Sequence, residues 1–217
     1  LHGNGDFRSE ECIELLKEAD IVVTNPPFSL FKSYISHLFS KNKHFIILGN
    51  MNASTYNNVF PLIKSNKLWY GLTIHSGDRE FRVPDDYPLR TAPHRVDENG
   101  NKYVKINGVR WFTNLTYDTQ IEPIQLTKDY DTKLYPKYDN YDAINVDKTM
   151  EIPRYYDGLM GVPISFLDKY CSEQFDIIGY SAELAGPVIV EGKTKKRPQR
   201  FFLNGKRLYD RIVIRRK

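Results

Sequence analysis

Apolar residues in the first sixty positions follow two rhythms, and the switches between them predict alternating helices and strands. Cys12, Ile13, Leu16 and Ala19 recur near helical spacing. Ser9 ahead of Glu10 and Glu11 supplies a cap and an acidic first turn, so a helix should open there with Cys12 on its buried face. Ile21-Val22-Val23 is a β-branched run with the pattern of a buried parallel strand. It ends at Asn25-Pro26-Pro27, where the prolines remove ladder donors and push Asn25 toward extended geometry. Ser29 is placed to cap a second helix with Phe31, Tyr34, Ile35 and Leu38 on one face, and residues 45–48 form a second apolar strand ending at Gly49-Asn50. Helix, strand, helix, strand in this order implies right-handed crossovers in a mostly parallel sheet.

Beyond about residue 66 the texture becomes β-rich. Residues 68–74 are strand-like, and 102–115 read as a hairpin turning at Asn107-Gly108. Residues 117–157, rich in Tyr, Asp, Lys and Pro, show little periodicity and are expected to be irregular. Residues 164–170 and 175–180 predict a short helix and a strand. A closing hairpin is expected from 201–203 and 208–214 around Asn204-Gly205. The expected architecture is α/β, a part of a Rossmann-like sheet over residues 1–120, followed by a mixed, β-rich region over 121–217. The boundary between them is soft.

Composition narrows the class. With 217 residues, 41% of them hydrophobic, 12 Phe and 15 Tyr, the chain has material for a real core. No run approaches the ~18 apolar residues of a membrane span. Neither a basic nor an apolar leader opens the chain, so a soluble, cytoplasmic protein with no membrane partner is expected. Cys12 and Cys171 are far apart and fit no metal or redox spacing, so no metal is expected. Charge is uneven: residues 191–217 hold 11 Lys or Arg against Glu191 and Asp210, within a net charge of +4. Such an end is either a polyanion contact or a solubilising tail. The opening Leu1-His2-Gly3-Asn4-Gly5 lacks a Met and reads as a turn inside a longer chain.

Asn25-Pro26-Pro27-Phe28 carries the most specific chemistry. An exocyclic amine on a nucleobase is a poor nucleophile because its lone pair is delocalised into the ring. Two acceptors for its N–H groups, the Asn25 side-chain oxygen and the Pro26 carbonyl, would draw the nitrogen toward tetrahedral geometry and free that pair. The prolines stiffen the loop, and Phe28 offers a face on which an extruded base can stack. The bland alternative is a strand stop with Phe28 in the core. Placement between a strand and a helix favours chemistry, because ligand sites of open α/β sheets lie at strand C-termini.

At this point the sequence resembles the EcoRI-type adenine-specific DNA methyltransferase family, amino-methyltransferases dependent on S-adenosylmethionine. The likeness runs from Gly5-Asp6-Phe7-Arg8-Ser9-Glu10-Glu11-Cys12 through Asn25-Pro26-Pro27-Phe28-Ser29-Leu30-Phe31 and Gly49-Asn50-Met51-Asn52-Ala53. It continues through Val109-Arg110-Trp111-Phe112-Thr113-Asn114 and residues 160–170, most of the chain. The resemblance implies that Asn25 and Pro26 grip adenine N6, with Pro27 beside them and Phe28 stacked on the flipped base. It implies that Asp6 and Phe7 meet the cofactor's adenine. Trp111 and Phe112 fall where related enzymes place a second base-contacting aromatic, although core packing fits one of the two equally well. Lys195, Lys196, Arg197, Arg200 and Arg207, with Lys193 and Lys206, are candidate phosphate contacts on double-stranded DNA. Arg79, Arg82, Arg90, His94 and Arg95 face either DNA or solvent.

The chain departs from the family at one motif. A glycine-rich cofactor loop after a first strand, expected upstream of Asp6, is absent from this sequence. A missing N-terminal segment of the same enzyme is expected to supply it, and this fragment alone to be inactive without it. A cognate restriction endonuclease is the further partner implied. Competing readings are an amino-methyltransferase of RNA or of protein glutamine, and a non-catalytic DNA-binding fragment.

Overall fold

Ser9 opens the first helix through its side chain, whose Oγ accepts from the Cys12 N–H at 3.3 Å; α1 then runs Glu10–Glu18. This computed structural model describes residues 5–72, 79–89, 93–116, 122–195 and 200–217. Helix α1 buries no residue completely, and Cys12 is half-buried rather than the core thiol its spacing suggests. The chain divides into two compact units, Leu1–Val59 with Leu68–Leu115, and Phe60–Lys67 with Thr116–Lys217.

In the first unit, β1 (Ile21–Thr24) pairs in parallel with β2 (His44–Asn50), with Thr24 opposite Ile47. Between them runs α2 (Phe31–Ser40), which buries Phe31, Ile35 and Leu38 as its 3.6-residue period predicts. Its N-cap is Leu30, without a side-chain cap bond, so Ser29 does not cap it; instead the Leu30 and Phe31 amides turn back to the Pro27 and Phe28 carbonyls. Strand β7 (Val109–Thr113) joins β2 antiparallel and β3 (Trp69–Tyr70) closes the far side, giving the order β1-β2-β7-β3. The expected burial of β1 is overturned. Ile21 and Val23 are 48% and 65% exposed, and among the described residues β1 pairs only with β2.

Strands β4 (Arg79–Val83), β5 (His94–Val96) and β6 (Lys102–Ile106) form a separate three-stranded sheet with β6 at its centre. The chain does turn at Asn107-Gly108, with Gly108 at φ 71°, but the flanking strands do not pair as a hairpin. They part because their side chains differ. β7 sends Phe112 and Thr113 into the core, whereas Lys102 and Lys105 keep β6 at the surface. Asn114 extends the first sheet: its side chain accepts from Phe45 N and donates to Lys43 O, both at 3.0 Å.

The second unit is built on a sheet of order β11-β16-β10-β9-β8, formed by β8 (Lys137–Tyr138), β9 (Tyr141–Asn145), β10 (Met160–Pro163), β11 (Phe175–Tyr180) and β16 (Arg211–Arg216). Two ribbons, β12 (Val188–Val190) with β13 (Lys193–Lys195) and β14 (Phe202–Leu203) with β15 (Lys206–Arg207), and two short helices, α3 (Phe60–Lys64) and α4 (Ser181–Leu184), complete it. Residues 117–157 were expected to be irregular, yet β8 and β9 lie inside them. Their turn is fixed from a distance, where pattern reading has no signal. The Asp139 carboxylate accepts from Asn204 N and Gly205 N at 3.0 and 2.8 Å, and buried Asn140 bonds Gly186 O, Arg200 O and Phe202 N.

The closing hairpin is similarly reassigned. Asn204-Gly205 turns β14 into β15, while β16 pairs with β10 and β11. Strand β16 buries Ile212, Val213 and Ile214, and Arg211, Arg215 and Lys217 lie beside Asp147 and Asp176. The last part of the basic end, Arg211–Arg216, is therefore part of the core sheet rather than a tail.

Candidate active site

Parallel pairing of β1 and β2 brings two loops to one edge. Strand β1 delivers Asn25 and β2 delivers Asn50 to their shared C-terminal end. This is the edge at which parallel sheets hold ligands, since the following helix N-termini and free loops gather there. Asn25 is exposed, Pro26 is buried, and Pro27 and Phe28 are exposed. The Pro27 and Phe28 carbonyls accept from Leu30 N at 2.9 Å and Phe31 N at 3.3 Å. No hydrogen bond to the Asn25 side chain or the Pro26 carbonyl occurs among the described residues, so both proposed acceptor oxygens are uncommitted. Phe28, 38% exposed, keeps part of its ring open.

The loop is held from behind. Phe31, first residue of α2, lies edge-on to Phe112 at 4.8 Å, and Phe112 lies edge-on to Tyr70 at 5.0 Å. Phe112 is fully buried, so it packs the core beneath the loop and does not face a base; Trp111, on the other side of β7, is half-buried. The Tyr70 hydroxyl is 2.6 Å from Ser54 Oγ and donates to Met51 O at 3.2 Å, tying the segment after β2 to the same cluster. Arg110 is buried at 3% exposure, opposite Gly49 in the ladder, with its guanidinium 5.9 Å from the Tyr70 ring. Sequence reasoning passed over this arginine. Its signal was position: a charged residue at the start of a core strand, directly across from the end of β2.

Asp6 and Phe7 precede α1. The Asp6 carboxylate accepts from Arg8 N and Nε at 2.9 Å and pairs with Arg8 Nη2 at 2.6 Å, which holds its pKa down to about 2. Phe7 packs edge-on to Tyr34 at 4.9 Å and 5.4 Å from His37, on the outer side of α2. Burial lowers the His37 pKa, with Lys41 adding to the effect.

The candidate phosphate contacts fall into different settings. Lys193, Lys206 and Arg207 are exposed, whereas Arg200 pairs with Asp210. The Lys195 side chain, together with Lys196 and Arg197, lies outside the described residues, as do Arg90 and the Arg79 side chain. Tyr135 and Tyr138 are buried, and the Tyr138 hydroxyl donates to Asn145 Oδ1 at 2.9 Å, so both pack rather than stack on a base. Burial raises the Tyr138 pKa. Among the described residues no cluster of His, Cys, Asp and Glu could hold a metal ion, and no helix is long and apolar enough to cross a membrane.

The family described as adenine-specific methyltransferase EcoRI matches residues 1–217. The chain belongs to that family. Its relatives include the type II methyltransferase M.EcoRI of Escherichia coli, 46% identical over 217 residues that cover 99% of this chain and 63% of the relative. M.MgeORF184P of Mycoplasma genitalium is 42% identical, and M.MpnI of Mycoplasma pneumoniae 39% identical. Both are type II methyltransferases, matched over 228 residues covering all of this chain and 70% of each relative. The chain thus spans just under two thirds of the first relative's length. No solved structure matches it. Membership of the EcoRI methylase family gives the loop at the end of β1 a chemical context that its geometry alone does not supply.

Proposed function

We propose that this chain forms part of a type II DNA methyltransferase of a restriction–modification system, which transfers a methyl group from S-adenosylmethionine to adenine N6 in duplex DNA. The observation that carries the reading is Asn25, exposed at the C-terminal end of a parallel strand with its side-chain oxygen and the next carbonyl uncommitted. The arrangement β1-β2-β7-β3, with one antiparallel strand inserted, supports assigning the first unit to a Rossmann-like methyltransferase sheet. The first unit then carries catalysis, and the second, with its exposed Lys193, Lys206 and Arg207, carries target recognition.

In this mechanism the Asn25 oxygen and the Pro26 carbonyl each accept an N–H of the flipped adenine's amine. Localising the lone pair lets N6 attack an electrophilic methyl, and the proton that N6 sheds leaves to water. Phe28 covers one face of the base and excludes solvent from it. S-adenosylmethionine supplies that methyl from its sulfonium, which leaves as a neutral thioether. The residues present fit one end of it. The Asp6 carboxylate, which takes three N–H contacts from Arg8, is the kind of acceptor an exocyclic amine needs, and Phe7 offers a ring beside it. The described residues contain no glycine-rich strand-to-helix turn for the methionine end, so a segment of the whole protein outside this chain is assigned that role. The bacterial cytoplasm and a cognate endonuclease complete the proposal.

The test is to incubate the full-length protein with tritiated S-adenosylmethionine and duplex DNA, digest the product and identify the labelled nucleoside. Label in N6-methyladenosine supports the assignment. Label only in RNA or protein supplied as competitor overturns it.

A further inference from the structure

We propose that one face of the β4–β6–β5 sheet is a phosphate-backbone contact for duplex DNA, in the same unit as the candidate catalytic loop. The inference rests on the DNA-methyltransferase reading and adds a surface to it. The register sorts the sheet's residues by face. Arg82, Tyr103 and Arg95 stand directly across from one another on three adjacent strands, and Glu80 and Lys105 form the next row on that face. The other face carries Phe81, Val83, Val96, Val104 and Ile106, together with Lys102 and His94. The first side is the more strongly charged and the second the more apolar.

On the cationic side the geometry is set by Arg95. Its guanidinium lies 4.2 Å over the Tyr103 ring and reaches across β6 to pair with Glu80 at 2.8 Å. That bridge fixes Arg95 flat on the sheet and uses the only acid of the two rows. Arg82 and Lys105 remain exposed, and Arg82 has no ion pair among the described residues. Asp97 accepts from the Tyr103 hydroxyl at 3.3 Å at the margin of this face; three cations against Glu80 and Asp97, spread about 10 Å across three strands, suit a row of phosphates better than a compact anion. Two-stranded and three-stranded ribbons of this size are a known means of following a DNA groove or backbone.

Topology supplies the second argument. The sheet grows from the edge that carries Asn25. β7 starts where β2 ends, with Val109 opposite Asn50, Met51 N donating to Gly108 O at 2.6 Å and Asn50 Nδ2 donating to Asn107 O at 3.3 Å. β3, antiparallel to β7 and so parallel to β2, runs toward this same end, where Gly71 N donates to Trp111 O at 2.9 Å. The β6–β7 connection to the sheet therefore lies at the C-terminal edge of β1 and β2. A duplex presenting a base to Asn25 passes the root of this sheet, whichever way the second unit holds it.

The experiment measures duplex binding by the full-length protein across a salt series, for the wild type, Arg82→Ala/Lys105→Ala and Arg82→Lys. Methyl transfer by the wild type is measured alongside. Loss of two phosphate contacts should make the slope of log affinity against log salt shallower by about 1.8, equally for cognate and unrelated duplexes. Arg82→Lys should keep the wild-type slope. An unchanged slope in a folded double variant, with the wild type binding and methylating DNA, overturns this surface alone. A wild type that neither binds nor methylates DNA overturns the function and the surface together.

Discussion

Gly49 lies so close to Phe31 that a Cβ on residue 49 would fall 2.8 Å from Phe31 Cζ and closer still to Cε2. The end of β2 and the start of α2 are thereby locked together without an intervening side chain. Because Phe31 is three residues from Phe28, the contact sets where the Asn25–Phe28 loop stands above the sheet. Gly49→Ala should push the ring off β2 and destabilise the protein by about 1–3 kcal/mol, read by urea denaturation. Adding Phe31→Leu should recover part of the loss, and failure of that rescue would show the lock lies elsewhere.

Phe112 and Trp111 separate core from surface on one strand. Phe112 is fully buried against Phe31 and Tyr70. Truncation to Ala should cost about 3–5 kcal/mol. Trp111→Ala, at a half-buried position, should cost less than half as much. Equal costs in thermal unfolding would contradict the placement of Phe112.

Asn140 is the hub of the second unit. Its amide donates to Gly186 O at 3.1 Å and Arg200 O at 3.0 Å, and its oxygen accepts from Phe202 N at 2.9 Å, at 8% exposure. Asn140→Ala leaves three backbone groups unpaired and should cost about 3 kcal/mol. Hydrogen exchange should show faster exchange at Phe202 N in the variant, and unchanged protection there would refute this role.

Asp6 titrates low because Arg8 holds it. The folded pKa, about 2, lies below the ordinary Asp value of 3.8, so the pair favours the folded form fully above about pH 4 and loses that contribution as pH falls toward 2. A carboxyl-carbon NMR titration should give Asp6 a midpoint near 2, and Arg8→Ala should return it toward 3.8. A midpoint that ignores Arg8→Ala would mean the contact is not formed in solution.

Local signals were legible where one segment decides its own structure. Ser9 as a cap, the helical face of Phe31, Ile35 and Leu38, and the stop at Asn25-Pro26 all read directly from spacing and side-chain chemistry. Misreadings came where a distant partner decides. Strand β1 reads as buried from its β-branched residues, but its neighbours, not its composition, set its exposure. Strands β8 and β9 are hidden within polar residues because Asp139 and Asn140 find their partners more than 40 residues away. The charged end misled because Arg211, Arg215 and Arg216 flank the buried Ile-Val-Ile run of β16, a pattern that net charge averages away. At the site, the loop was visible as a motif, whereas Arg110 and the cationic face of the β4–β6–β5 sheet needed register.

The central claim is that the Asn25 side-chain oxygen activates the amine. The most direct measurement is the single-turnover rate of methyl transfer to duplex DNA by full-length protein carrying Asn25→Ala. The account predicts a rate at least ~100-fold lower, with duplex affinity and stability near wild type, since Asn25 is exposed and forms no hydrogen bond among the described residues. A variant that transfers methyl groups at the wild-type rate would contradict it.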